Sequence, residues 1–238
     1  MKDLKEYIKE GLFDDINKLE GKSGLESNYK QLKKEIIDWI SNNYYSSYPR
    51  RNSHKLKKRN IEVDMTTTPP TVDYDGDLYA DKDIISLNNN DLFQWGKMGG
   101  DFDCTYCTNL KSLEGAPKEV GYDFSCAHCK SLKSLEGAPE EVGGSFSCND
   151  CHSLKNLEGA PKKVVRGFYC NYCKSLTTLE GAPEEVGRDF NCTDCDSLTS
   201  LKGAPKEVGG DFDCRYCETE FTEEDINKVS EVKGKILC

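Results

Sequence analysis

The sequence predicts an α+β chain: a capped β-solenoid with short parallel strands, preceded by a small helical N-terminal module. Three observations carry this. Phe102, Phe124, Phe146, Phe168, Phe190 and Phe212 recur every 22 residues without insertion. Cys104, Cys126, Cys148, Cys170, Cys192 and Cys214 keep the same step, as do Cys107, Cys129, Cys151, Cys173, Cys195 and Cys217. Two leucines and a Gly-Ala-Pro lie between successive cysteine pairs, as in Leu110, Leu113, Gly115, Ala116 and Pro117. A fixed period of this kind belongs to stacked coils, none of which buries its apolar face alone.

Four segments follow from that frame. Residues 1–60 form the helical, basic N-terminal module, 61–98 a β-rich cap, 99–217 the six repeats and 218–238 a helical C-terminal cap. The chain has 238 residues, 36 % hydrophobic and 31 % charged. No apolar run approaches the ~18 residues of a membrane span. Met1-Lys2-Asp3-Leu4-Lys5-Glu6 lacks the apolar core of a signal peptide, so a reducing cytoplasm and no membrane are expected. The net charge of −10 is uneven. Residues 1–60 carry 14 Lys/Arg against 9 Asp/Glu, and residues 61–238 carry 18 against 33. An acidic array is not expected to hold nucleic acid, because phosphate binding needs positive charge.

In the N-terminal module, Leu4, Ile8, Leu12, Ile16 and Leu19 predict an amphipathic helix over 3–20. A second helix, capped by Ser27 or Asn28, runs to about Asn43 with Tyr29, Leu32, Ile36, Trp39 and Ile40 on one face. The basic run that follows holds Arg50, Arg51, Lys55, Lys57, Lys58 and Arg59, with Tyr44, Tyr45 and Tyr48 upstream. It is the one segment that could grip phosphates and stack bases. Ile61, Val63 and Met65 alternate as a strand, and Asp75-Gly76 signals a hairpin between Val72–Tyr74 and Leu78–Ala80. Leu92, Phe93, Trp95 and Met98 read as an irregular coil before the repeats. After the repeats, Thr222 caps a helix whose apolar side is Ile226, Val229 and Val232 and which Gly234 ends.

Within one repeat, Val120, Phe124, Cys126, Cys129, Leu132, Leu135 and Ala138 are the apolar positions. Phe124-x-Cys126-x-x-Cys129 resembles the Leu-x-Leu-x-x-Asn/Cys core of leucine-rich repeats. That resemblance spans the six repeats and implies a short inward-facing strand on a parallel sheet. The pattern departs in one place, since two residues separate Cys129 from Leu132. The return segment Leu135–Pro139 is too short and too rich in Gly and Pro for a helix, so extended or 3₁₀ backbone is expected on the convex side. The Ser-Leu-Glu-Gly-Ala-Pro wording with Phe-x-Cys-x-x-Cys resembles repeat proteins of tailed bacteriophages and gut bacteria. This implies a virion or host-interaction role. Leu4-Lys5-Glu6-Tyr7-Ile8 is similar to the start of some phage proteins whose N-terminal peptide directs packaging.

The flanking Cys-x-x-Cys pairs fit a zinc-ribbon spacing. The 22-residue period explains the same spacing without metal, because cysteine is a good small core residue. No cofactor and no metal ligand set are therefore expected, with a metal-binding protein as the alternative. His54, His128 and His152 are the only histidines, and no nucleophile–base pair can be drawn, so the chain reads as no enzyme.

Residues that vary between copies mark the binding face. Asp101, Asp123 and their equivalents Asp189 and Asp211 form one column. Asp103, Tyr169 and Asp213 belong to a second. Tyr106, His128, Tyr172 and Tyr216 belong to a third, just beyond the strand, with Asp150 and Asp194 in the same column. With Phe and Cys inward, alternation turns the first two columns outward. The function expected is a non-enzymatic scaffold that binds a protein partner through this face. A nucleic-acid-associated protein using residues 48–59 is the alternative.

Overall fold

The computed structural model describes residues 23–45, 61–64, 67, 69–88 and 92–238. Phe102, Phe124, Phe146, Phe168, Phe190 and Phe212 begin two-residue strands that pair in parallel with no register shift, Phe against Phe. A 22-residue repeat can do this only if each copy closes one full coil. The predicted solenoid is therefore what forms. The phenylalanine rings stack along the axis, with centroids 5.2 Å apart from Phe102 through Phe168. That spacing is close to the ~4.8 Å between paired strands, so the ladder sets the ring stack.

Each coil carries a second strand, just past the Leu135–Pro139 type of return segment, where no strand was expected. Glu119–Val120, Glu141–Val142, Lys163–Val164, Glu185–Val186 and Glu207–Val208 pair in parallel, Val against Val. The solenoid thus has two sheets of nine strands among the described residues. One is built on the Phe strands, the other on the Val strands. Val120, Val142, Val164, Val186 and Val208 are buried opposite the rings. The two leucines between successive cysteine pairs, such as Leu132 and Leu135 at 0 % exposure, fill the remaining wall. The Gly of each Gly-Ala-Pro turns at φ between 83° and 91°.

The N-terminal end is closed by helix α1 (Ser23–Asn43), which starts four residues before the predicted cap. Of its predicted apolar face, Leu32, Ile36 and Ile40 are buried and Trp39 packs half-buried against the core, while the Tyr29 side chain lies outside the described residues. Tyr44–Tyr45 continues from it as the first strand of the Phe sheet and pairs antiparallel with Leu78–Ala80. Tyr44, Trp39, Phe93, Trp95 and Phe102 meet edge to face or tilted at 5.0–6.0 Å, the arrangement aromatic quadrupoles favour. Helix, cap strands and repeats share one core. The other described chain before the repeats corrects one expectation. Asp75-Gly76 joins no hairpin, because Thr71–Tyr74 lies in the Val sheet and Leu78–Ala80 in the Phe sheet. It is a coil corner, equivalent to the corner between Val120 and Phe124. The antiparallel partner of Thr71–Tyr74 is Ile61–Asp64.

The C-terminal segment also differs from its expectation. Helix α2 is only Glu223–Asn227, with Thr222 and Asp225 forming a reciprocal capping box and Ile226 fully buried. Val232 is not on it. Glu231–Val232 joins the Val sheet beside Glu207–Val208, and Ile236–Leu237 joins the Phe sheet beside Phe212–Asp213. A further coil therefore follows the sixth repeat, in which Ile236 stands where Phe212 stood. No helix among the described residues is long and apolar enough to cross a membrane.

Candidate binding surface

The cysteines settle which side of the Phe strand faces inward. Cys104, Cys126, Cys148, Cys170 and Cys192 are buried one residue past the strand, as are Cys107, Cys129, Cys151, Cys173 and Cys195. The second thiol of each coil donates to the carbonyl of the first cysteine one coil back. Cys129 reaches Cys104 O at 3.1 Å, Cys151 reaches Cys126 O at 3.2 Å and Cys173 reaches Cys148 O at 3.2 Å. A group that donates this bond is a thiol and not a thiolate. Burial pushes the thiols of Cys126, Cys170 and Cys195 well up, and that of Cys214 up to about 12. They are poor nucleophiles at neutral pH and pack as small core residues.

The first predicted column does face outward, but its carboxylates are committed to the backbone. Asp101 accepts from Asp123 N at 2.9 Å and Asp123 from Ser145 N at 2.7 Å. Asp189 accepts from Asp211 N at 2.9 Å and Asp211 from Lys235 N at 2.7 Å. Each Asp thus caps the N–H of the same corner one coil on. A neighbouring residue makes room for it. A Cβ at Gly144 would strike the Asp123 carboxylate, and one at Gly210 would strike Asp189. Where the preceding coil has Ser145 or Gly167 in this column, arginines (Arg166 and Arg188) take the place of that glycine. Tyr122, after Asp101, is the exception.

The second column is mixed. Partial burial raises the carboxyl of Asp103 above the ordinary range, as it does that of Asp101 in the first column. Asp103 accepts from Thr105 N at 2.7 Å. Asp213 corrects its expectation as an open surface residue: it is 9 % exposed, because the Arg215 guanidinium lies over it at 2.7 and 3.0 Å. Tyr169 points outward and folds its ring across Gly167, where a Cβ would collide with it. Burial, then the charges of Asp189 and Asp123, push its hydroxyl pKa up.

The third column forms an edge. Tyr106, His128, Asp150, Tyr172, Asp194 and Tyr216 all sit at φ between 56° and 66°, the left-handed region. They occupy the third place of the turn between the two cysteines, closed where Cys107 N bonds Cys104 O at 3.2 Å. Their backbones form a ladder, as in Tyr106 N to Ala127 O at 2.9 Å and Tyr172 N to Thr193 O at 2.9 Å. Tyr106, Tyr172 and Tyr216 are 47 %, 48 % and 73 % exposed. The Tyr106 and His128 rings stack at 4.4 Å and 5°.

Asp150 joins the two repeat histidines, which occupy unequal positions in their copies. It lies 2.6 Å from His128 Nδ1 and 2.6 Å from His152 Nε2. Partial burial pushes against it, yet the two histidines hold its carboxyl below the usual range. Sequence reasoning did not single out His152 or this link, although Asp150 stands one 22-residue step from His128. Among the described residues no group of three or more His, Cys, Asp or Glu side chains is arranged to hold a metal ion, and the His128–Asp150–His152 link pairs the three with one another. The basic candidates Arg50, Arg51, Lys55, Lys57, Lys58 and Arg59 lie outside the described residues, as does the predicted helix 3–20.

No protein-family model, curated protein or solved structure matches the chain.

Proposed function

We propose that the chain is a non-enzymatic repeat scaffold that binds another protein through the outer face of its Phe sheet and the adjoining turn edge. One observation carries this reading. The frame of Phe, Cys, Leu and Val is buried and near-identical from coil to coil, while the outward positions differ and hold the exposed aromatic residues. A rigid, repeating support with variable side chains on one surface is how solenoids present extended binding faces. Aromatic side chains held on such a support are the usual anchors of protein interfaces. The likeness of the repeat wording to tailed-phage and gut-bacterial proteins extends the proposal to a virion or host-facing partner.

The test is affinity capture with the full chain from the native host, followed by calorimetry with the captured protein in purified form. Wild type should bind it. Tyr169→Ala should weaken binding about tenfold or more while melting unchanged. A partner held equally by Tyr169→Ala and by the tyrosine variants described below would overturn the reading.

A further inference from the structure

Each of the first five repeats has two residues at positive φ, and the sixth has one; the chain fills the two places differently. At the Gly-Ala-Pro turn the residue is glycine in each of Gly115, Gly137, Gly159, Gly181 and Gly203. At the cysteine turn it is never glycine: the order is Tyr106, His128, Asp150, Tyr172, Asp194, Tyr216. His and Asp tolerate this region, but a bulky tyrosine there is a true outlier. Tyr106 recovers part of the cost by stacking on His128, and Arg215 lies 5.9 Å from the Tyr216 ring, but Tyr172 and Tyr216 remain 48 % and 73 % exposed. Side chains kept in a disfavoured backbone state, facing solvent, point to a task outside the fold.

Their chemistry narrows the task. The line runs Tyr, His, Asp, Tyr, Asp, Tyr on the same sheet face that carries Asp101, Asp123, Asp189 and Asp211. Asp150 is held by His128 and His152, which leaves Asp194 between Tyr172 and Tyr216. Residues 61–238 carry 33 Asp/Glu against 18 Lys/Arg. Aromatic faces next to carboxylates attract ammonium and guanidinium groups, and the same field repels phosphate. Coils about 4.8 Å apart put the six edge residues on a line of roughly 24 Å, the reach of about seven or eight residues of extended chain. We propose that the Tyr106–Tyr216 edge is a docking rail for an extended, Lys/Arg-rich segment of a partner protein. This rests on the reading of the array as a protein-binding scaffold and gives that partner its chemistry.

The probe is a fluorescent twelve-residue peptide with eight Lys/Arg, titrated against the full chain. The triple variant Tyr106→Gly, Tyr172→Gly, Tyr216→Gly should lose at least tenfold in affinity with a melting temperature equal to wild type or higher. Glu119→Gln, Glu141→Gln, Glu185→Gln and Glu207→Gln together remove four charges from the far sheet and should leave affinity within about twofold. A tenfold loss in the Glu→Gln variant, with the glycine variant within about twofold of wild type, would mean bulk charge attraction and would overturn the rail. So would a fall in melting temperature for the glycine variant with affinity intact, no binding of the peptide, or binding of neutral cellohexaose instead. Capture of a partner sensitive to Tyr169→Ala, with no peptide binding, would sink the rail and leave the scaffold standing. Loss of both would sink the scaffold too.

Discussion

The two tight turns of each coil solve one backbone problem in opposite ways. At Gly-Ala-Pro the carbon that any other residue would add meets the backbone of the coil before it: at Gly159 it would come within 2.5 Å of Leu135 C. Glycine is forced there twice, by φ and by space. At the cysteine turn φ is the same in sign, but the side chain points away from the stack, and tyrosine, histidine and aspartate are kept. A left-handed residue other than glycine costs about 1–2 kcal/mol. Six such turns are therefore a standing burden on a fold whose interior is otherwise repetitive and well packed. On the proposed reading the Gly-Ala-Pro turn answers to folding alone, and the cysteine turn to partner binding as well.

The largest effect should come from breaking the inside. Phe168→Ala removes a ring stacked between Phe146 and Phe190 at 0 % exposure. It should cost about 3–5 kcal/mol in denaturant unfolding through the cavity left behind. Its neighbour Tyr169→Ala should cost under about 1 kcal/mol, since that ring lies on the outer face.

An intermediate effect should come from the outward carboxylates. The sequence alone gives no reason to expect Asp123 to matter for stability. Its bond to Ser145 N changes that, and Asp123→Ala should cost about 0.5–1.5 kcal/mol, the net worth of an ordinary hydrogen bond, because the bond is solvent-exposed. Asp123→Asn, which keeps an acceptor, should recover part of it. A loss under 0.5 kcal/mol for Asp123→Ala would return this column to a purely solvent-facing role.

A third expectation is a count. Under native conditions a thiol reagent should react quickly with exposed Cys238 and half-buried Cys217, and with the other eleven cysteines only on unfolding. The melting curve should not move when a chelator is added. Stoichiometric zinc and unfolding on chelation would show that the thiol columns hold metal.

The Phe strand, the inward cysteines and the solenoid itself were legible because the 22-residue period leaves no other way to place Phe102 beside Phe124. The Val sheet was harder to see. Val120 was visible as an apolar position, but a strand of two residues has no alternation to read. The last coil was legible in principle: Glu231-Val232 and Ile236 follow the wording of Glu207-Val208 and Phe212. The step there is 24 residues instead of 22, and Ile replaces Phe, so helix periodicity over Ile226, Val229 and Val232 competed with it. Asp75-Gly76 was misread because the same dipeptide serves a hairpin and a solenoid corner, and only the pairing of the flanking strands separates them. The candidate columns were legible as outward positions. Their hydrogen bonds were not, because Asp123 and Ser145 N meet only when one coil lies on the next.

The most direct measurement is to melt Gly159→Ala and Tyr172→Gly side by side with wild type. Gly159→Ala adds a Cβ at φ 87° against backbone and should be destabilised by at least about 2 kcal/mol. Tyr172→Gly relieves φ 60° at an exposed position and should be neutral or stabilised by up to about 1 kcal/mol. Opposite signs would show that the cysteine turn keeps Tyr172 without gain to the fold, as a binding role requires. A loss in Tyr172→Gly as large as that in Gly159→Ala would contradict it, and both turns would then serve folding alone.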